Sequence, residues 1–92
     1  MKYKIITDDT ICFLSYPEFF NKEITDVKNN TVRLNPTEEQ IKEIMELYKC
    51  DILKFIIIIN TDTGERFLRM LIDIALYENV MIFTWEPIKV VK

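Results

Sequence analysis

The chain has 92 residues, with 49% hydrophobic and 29% charged side chains and a net charge of −3, so the sequence predicts a single globular domain over residues 1–92. There is no histidine, which excludes histidine-based catalytic triads and histidine-ligated metals. Lysine and arginine are scattered, which argues against a partner that is duplex nucleic acid.

The N-terminal segment MKYKIITDDT is too polar for a signal peptide, and the longest apolar run, FIIII, is too short to span a bilayer. We therefore expect a cytoplasmic protein without a membrane partner, in which Cys12 and Cys50 are reduced thiols. Two distant cysteines do not make a metal site, and the sequence gives no reason to expect a cofactor.

The first elements in chain order are two segments rich in β-forming residues that flank Asp8-Asp9. They predict a hairpin that pairs residues 2–7 with residues 11–16. The next segment, PEFFNKEI, fits either a helical turn or an irregular crossing. TVRL, which follows two asparagines, predicts a short strand.

A helix is predicted over residues 37–49. Thr37 and Gln40 have the spacing of a capping box, and the apolar residues that follow form one stripe at helical spacing. This pattern is typical of a surface helix that packs one side against the core.

The C-terminal half predicts strand, helix and strand. LKFIIIIN is apolar on both faces, as in a central strand, and residues 63–78 are predicted to form a second helix, apolar around most of its circumference. VMIFTW predicts the next strand, and IKVVK a short last one. The predicted fold class is thus α/β: a small mixed sheet with an N-terminal β-hairpin, a C-terminal βαβ unit and two main helices.

The only glycine follows the predicted central strand, in NTDTGERF. In open α/β sheets, ligands bind beyond the carboxyl ends of strands and near helix N-termini, which attract phosphate. The sequence therefore offers a phosphate-binding loop. Its candidate residues are Thr61, Asp62, Thr63, Gly64 and Arg66.

Two other interpretations compete for the same loop. Asp62 and Glu65 have capping-box spacing, so the loop is also explained as a purely structural helix cap. A divalent-cation site is a third alternative, in which Asp8 and Asp9 join these two carboxylates if the two loops converge.

The corner from Asn60 to Gly64 resembles the strand–Asn-x-Thr-Gly–helix corner of CRISPR-associated Rossmann-fold (CARF) domains, which bind cyclic oligoadenylate. The resemblance covers about a third of the chain. It implies binding of a nucleotide or cyclic oligonucleotide, or phosphodiesterase activity. Arg66 alone matches the basic residue that such corners often carry after the glycine.

Four aromatic residues are candidates for a protein interface. Tyr16, Phe19 and Phe20, in YPEFF, either close one end of the core or form a docking surface. Trp85 lies either on a core-facing side of its strand or at the centre of an exposed contact.

Two classes of function remain. The first is a binding or regulatory protein that acts through protein–protein contact, as a homodimer, in the manner of a microbial or viral accessory or inhibitor protein. Its support is the lack of a catalytic set and the surplus apolar surface of the predicted second helix. The alternative is the nucleotide binder or phosphodiesterase built on loop 61–66. No second phosphate-binding group is visible, so the sequence favours the first class and a protein that is not an enzyme.

Overall fold

The computed structural model describes residues 1–87, which form six strands and two helices. The strands are β1 (Lys4–Ile6), β2 (Thr10–Ser15), β3 (Asn30–Leu34), β4 (Phe55–Asn60), β5 (Arg66–Tyr77) and β6 (Val80–Trp85), and the helices are α1 (Pro17–Ile24) and α2 (Glu38–Lys49). The fold is a small mixed α/β domain with an N-terminal hairpin, as predicted. The predicted IKVVK strand lies outside the described residues.

The strands form one mixed sheet in the order β1-β2-β4-β5-β6-β3. Within residues 1–87 only β2 and β4 are parallel, and the other neighbours are antiparallel. Residues 66–70 of β5 pair with β4, whereas residues 71–77 pair with β6, and the register is irregular between Leu71 and Asp73. We call β1, β2, β4 and the first half of β5 sheet A, and the second half of β5, β6 and β3 sheet B.

The sheet folds over at this irregularity, because residues three strands apart touch across the core. The ring of Phe13 in β2 lies 4.8 Å from that of Phe83 in β6, although three strand spacings in a flat sheet would separate them by roughly 14 Å. Side chains from sheet A, sheet B and both helices therefore share one core. Its buried members include Ile11, Phe13, Phe20, Ile44, Ile56, Ile58, Phe67, Met81, Phe83 and Trp85.

Helix α2 forms as the sequence predicts. The Thr37 hydroxyl accepts a hydrogen bond from the Gln40 N–H at 3.1 Å, and the Thr37 N–H donates to the Gln40 side chain at 2.9 Å. This confirms the capping box. The helix buries Ile44 completely in the core. The segment PEFFNKEI, which the sequence left open, forms the eight-residue helix α1.

The predicted helix over residues 63–78 is wrong, because most of this segment forms the 12-residue strand β5. Leu68 and Met70 are exposed, whereas Phe67 and Leu71 are buried, which is the alternation of a strand. Apolar residues around most of the circumference are expected for a helix that is covered on all sides. Here the same residues form a strand whose two faces are both apolar. Pairing with β4 and β6 overrides the helix propensity of its leucines, methionine and alanine.

The predicted C-terminal βαβ unit is therefore also wrong. β4, β5 and β6 are consecutive antiparallel neighbours, joined by the turn at residues 61–65 and by Glu78-Asn79. The two helices in the described part of the chain are α1 and α2. The parallel pair β2 and β4 is connected through α1, β3 and α2.

Candidate functional site

The loop after β4 is a hairpin turn and not the start of a helix. Gly64 has φ +74°, and its N–H donates to the Asn60 carbonyl at 2.9 Å. The Asn60 side chain accepts from the Asp62 N–H at 2.9 Å, and the Thr63 hydroxyl accepts from the Glu65 N–H at 3.2 Å. The predicted Asp62–Glu65 capping box is therefore wrong, since there is no helix for it to cap.

The five predicted phosphate-binding residues, Thr61, Asp62, Thr63, Gly64 and Arg66, are all exposed. Without a helix N-terminus, the loop lacks the aligned backbone dipoles on which the phosphate argument depended. The CARF-like corner likewise lacks its helix. Phosphate binding by this loop stays a prediction that rests on its side chains alone.

The predicted cation site does not assemble, because its carboxylates lie at opposite ends of β4. The Asp9 carbonyl accepts from the Phe55 N–H at 2.9 Å, at the start of this strand, whereas Asp62 and Glu65 follow its end. Six strand residues separate the two loops by roughly 20 Å. Within residues 1–87 no three potential ligands are grouped to hold a metal ion. The hydroxyls of Thr10 and Thr7 hydrogen-bond to Asp9 and hold its pKa below the ordinary value.

The four interface candidates divide into two pairs. Trp85 and Phe20 are 0% and 1% exposed, so they belong to the core and are not accessible to a partner. Tyr16 and Phe19 are 67% and 44% exposed. These two side chains stand beside a cavity that the sequence did not predict.

This cavity, of about 500 Å³, opens at the carboxyl end of β2, between α1 and β3. We call it the polar pocket, because charged and hydroxyl side chains share its wall with apolar ones. It is lined by Leu14, Ser15, Tyr16, Phe19, Glu23, Lys28, Thr31, Val32, Arg33 and Leu34.

Glu23 is unusual among the lining residues of the polar pocket, because carboxylic side chains are mostly exposed in proteins and this one is only 1% exposed. The Ser15 hydroxyl donates to its Oε1 at 2.7 Å, while its Oε2 has no hydrogen-bond partner among residues 1–87. Burial raises the pKa of Glu23, and the Ser15 hydrogen bond and the charges of Lys28 and Arg33 oppose that rise. The arrangement leaves one strong acceptor without a donor.

Arg33 and Lys28 supply positive charge to the same pocket. The Arg33 guanidinium carbon lies 4.6 Å from the centre of the Phe13 ring, and its Nε donates to the Thr31 hydroxyl at 3.0 Å. Burial lowers the pKa of Arg33, and Glu23 opposes that shift. The Lys28 ammonium lies 5.4 Å from the centre of the Phe19 ring. Ring contacts thus position both cations.

Sequence reasoning missed the polar pocket because it left residues 17–24 unassigned. As a helix, this segment puts Phe20 and Glu23 three residues apart and therefore on one face. A carboxylate on the face of a core phenylalanine was the available signal. The pairing of β3 with β6, which delivers Arg33 to the pocket, joins residues about fifty positions apart and left no local pattern.

A second candidate surface is the outer face of sheet A, opposite both helices. Strand register arranges its side chains in three rows. The rows read Ile6, Thr10, Phe55 and Met70; Lys4, Cys12, Ile57 and Leu68; and Leu14, Ile59 and Arg66. We call these eleven residues the docking face.

The docking face is apolar in the middle and cationic at its sides. None of its eleven side chains is acidic, although the whole chain carries net negative charge. Arg66 and Lys4 both act on the Cys12 thiol, where they oppose the rise in pKa that burial causes. A shallow cavity of about 260 Å³ indents this part of the protein, and Lys2, Tyr3, Lys4, Cys12, Phe13, Leu14 and Ile59 line it.

No protein-family model, curated protein or solved structure matches this chain. Among the described residues, neither helix has the length and hydropathy that a bilayer span requires.

Proposed function

We propose that the protein works by binding another protein through the docking face, as a small regulatory or inhibitory protein and not as an enzyme. The observation that carries this proposal is the exposure of large apolar side chains in adjacent rows. Leu14, Leu68 and Met70 are 56%, 55% and 52% exposed. Contiguous apolar patches of this kind on a soluble domain mark interaction surfaces more often than chance exposure.

Charge selects the kind of partner. Lys4 and Arg66 flank the apolar rows, Lys2 lies at the rim of the shallow cavity, and no carboxylate belongs to the face. The complementary surface presents an apolar side chain to the cavity and aspartate or glutamate beside it. The proposed partner is therefore a protein segment with an apolar anchor flanked by acidic residues.

Homodimerisation, which the sequence predicts, is the main competing use of the docking face. Two copies placed face to face bring two sets of cations into one interface without any carboxylate from either face. Like charges in a desolvated contact are unfavourable, so an acidic partner fits better than a second copy.

Selection from a random peptide library displayed on phage tests the partner chemistry. We expect enriched peptides with an apolar residue next to aspartate or glutamate, which bind the wild type and lose at least tenfold in affinity for Leu68→Glu, since that change buries a like charge in the contact. Leu76→Glu is the matched control: Leu76 is also an exposed leucine of β5, at 46%, but belongs to sheet B. Enriched peptides without acidic residues, or with equal affinity for both variants, would overturn the proposal.

Sedimentation equilibrium at micromolar concentration tests homodimerisation through the docking face. The proposal predicts a monomer for the wild type and for both variants. A wild-type dimer that Leu68→Glu converts to a monomer would instead assign the docking face to a second copy of this chain.

A further inference from the structure

We propose that the polar pocket binds a phosphate group, which Lys28 and Arg33 hold by charge and which forms a hydrogen bond with Glu23. The ligand we assign is a nucleoside monophosphate, and free phosphate shares the same chemistry. This inference does not rest on the docking face, with which the pocket shares Leu14, or on the loop at residues 61–66.

The unpartnered carboxylate oxygen of Glu23 favours a ligand that carries a hydrogen-bond donor. A buried acceptor without a donor costs free energy, and the cost is larger for a charged group. Glu23 Oε2 is in this position inside a cavity, while the other oxygen is taken by Ser15. A ligand that places a donor at Oε2 removes the deficit.

The charge around Glu23 is positive, which favours an anionic ligand. Lys28 and Arg33 line the pocket, and Glu23 is its only acidic lining residue. A cationic ligand could donate to Glu23 but would be repelled by the two cations. A ligand that combines negative charge with a hydrogen-bond donor matches both features of the pocket.

A phosphate group meets both conditions with one proton. Inorganic phosphate carries at least one P–OH at neutral pH, and a phosphate monoester has its second pKa near 6. The P–OH donates to the ionised Glu23 carboxylate. Sulfate has the same shape and charge as the phosphate dianion but no proton to donate.

The size and rim of the pocket point to an organic phosphate. The cavity measures about 500 Å³, whereas a water molecule takes about 30 Å³, so phosphate alone would leave most of it unfilled. Tyr16 and Phe19 lie at its wall and are exposed. Nucleobases stack on such aromatic side chains without regard to sequence.

Isothermal titration calorimetry at pH 8 tests the hydrogen bond from the phosphate P–OH to Glu23. Inorganic phosphate still carries a proton at this pH, and we expect it to bind the wild type at least tenfold more tightly than sulfate, the value of one hydrogen bond to a charged group. Glu23→Gln should lose this preference, because the amide donates to both anions. Equal affinities of the wild type for phosphate and sulfate would overturn the proposal.

A second set of titrations at pH 6 uses adenosine monophosphate and tests the cations. Arg33→Met and Lys28→Met should each weaken binding by about tenfold or more. Lys22→Met is the matched control, since Lys22 is an exposed lysine in α1 that does not line the pocket. An equal loss in the control, or the absence of binding by both adenosine monophosphate and phosphate to folded wild type, would contradict the proposal. Tighter binding of the nucleotide than of phosphate supports the assigned ligand, whereas equal binding would overturn that assignment in favour of free phosphate.

Discussion

Two buried charged residues, Arg69 and Glu23, sit in contrasting environments. Arg69 is 8% exposed and donates from its terminal nitrogens to the carbonyls of Leu68 and Ile24, each at 3.0 Å. Its Nε lies 3.5 Å from the Asp26 carboxylate, an ion-pair distance without hydrogen-bond geometry. Within the described part of the chain, Glu23 has one hydrogen-bond partner, Ser15, and its second oxygen has none.

The difference separates a structural charge from a candidate binding charge. Arg69 ties the end of α1 to β5, and Asp26 extends the connection to the Trp85 indole N–H at 3.2 Å. These contacts fix elements that are distant in sequence. Glu23 connects α1 to β2 through a single hydrogen bond and otherwise stands at the wall of a cavity. A buried charge that its own chain leaves half-partnered is where a ligand has most to contribute.

The largest effect should come from breaking the contacts that Asp26 makes with Arg69 and Trp85, which we call the Arg69 cluster. Asp26→Ala removes the carboxylate from buried Arg69 and from the Trp85 indole, and it places alanine at φ +58°. We expect the free energy of unfolding to fall by about 3 kcal/mol, measured by urea denaturation. Asp26→Asn should lose less than half of that, because asparagine tolerates this φ and still offers Trp85 an acceptor. A loss below about 1 kcal/mol for the alanine variant would contradict a structural role for the cluster.

The next effect concerns Gly64, at the same end of the sheet as the polar pocket. Nothing lies within 4 Å of a Cβ built at this position, and φ is +74°, so Gly64→Ala should cost about 1 kcal/mol through backbone strain alone. Thermal unfolding measures it. The variant should also keep the phosphate affinity of the wild type. A selective loss of phosphate binding would return the ligand site to the loop at residues 61–66.

A smaller effect concerns Glu23, whose contribution to the free energy of unfolding should depend on pH. Because burial raises the pKa of Glu23 above its ordinary 4.5, the folded protein binds more protons than the unfolded chain. This residue therefore destabilises the fold progressively as the pH rises above about 4.5. Glu23→Gln removes that contribution, so the variant should gain stability relative to wild type between pH 4 and pH 7 in urea titrations. A difference that stays constant, or moves the opposite way, would contradict the raised pKa.

The smallest effect should come from a charge pair at the surface. The Lys54 ammonium lies 3.5 Å from the Asp51 carboxylate, and both side chains are largely exposed. Asp51→Asn keeps a residue that accepts the local φ of +60°. We expect no change in the urea midpoint beyond the measurement error, because exposed ion pairs contribute little. A clear destabilisation would mean that burial is not what sets the Arg69 cluster apart.

The sequence predicted elements whose signals are local. The hairpin around Asp8-Asp9 and the capping box of Thr37 with Gln40 depend on residues within a few positions of one another, and both formed. The sequence also predicted a ligand-binding loop after the end of β4. This loop lies next to the polar pocket, since the Thr61 N–H donates to the carbonyl of Ser15, a lining residue of the pocket, at 3.0 Å.

The strand β5 and the polar pocket could not be predicted in the same way. RFLRMLIDIALY contains good helix formers, and only its pairing with β4 and β6 makes it a strand. The segment from Thr61 to Gly64, between two apolar runs, fits a hairpin turn as well as the start of a helix, so it did not decide the structure of the residues that follow. The pocket depends on the fold-over of the sheet and on β3 reaching its far edge, which no local pattern encodes.

The most direct test of the contrast observes the Glu23 carboxyl carbon itself. Carbon-13 NMR of the side-chain carboxylates, with the Glu23 resonance assigned by comparison with Glu23→Gln, can be followed during titration with inorganic phosphate and then with sulfate. The structure predicts that the Glu23 resonance moves with phosphate and saturates, that the same movement needs about tenfold more sulfate, and that the Asp26 resonance moves with neither. A Glu23 resonance that ignores phosphate, or that responds equally to both anions, would contradict a ligand site at the half-partnered carboxylate.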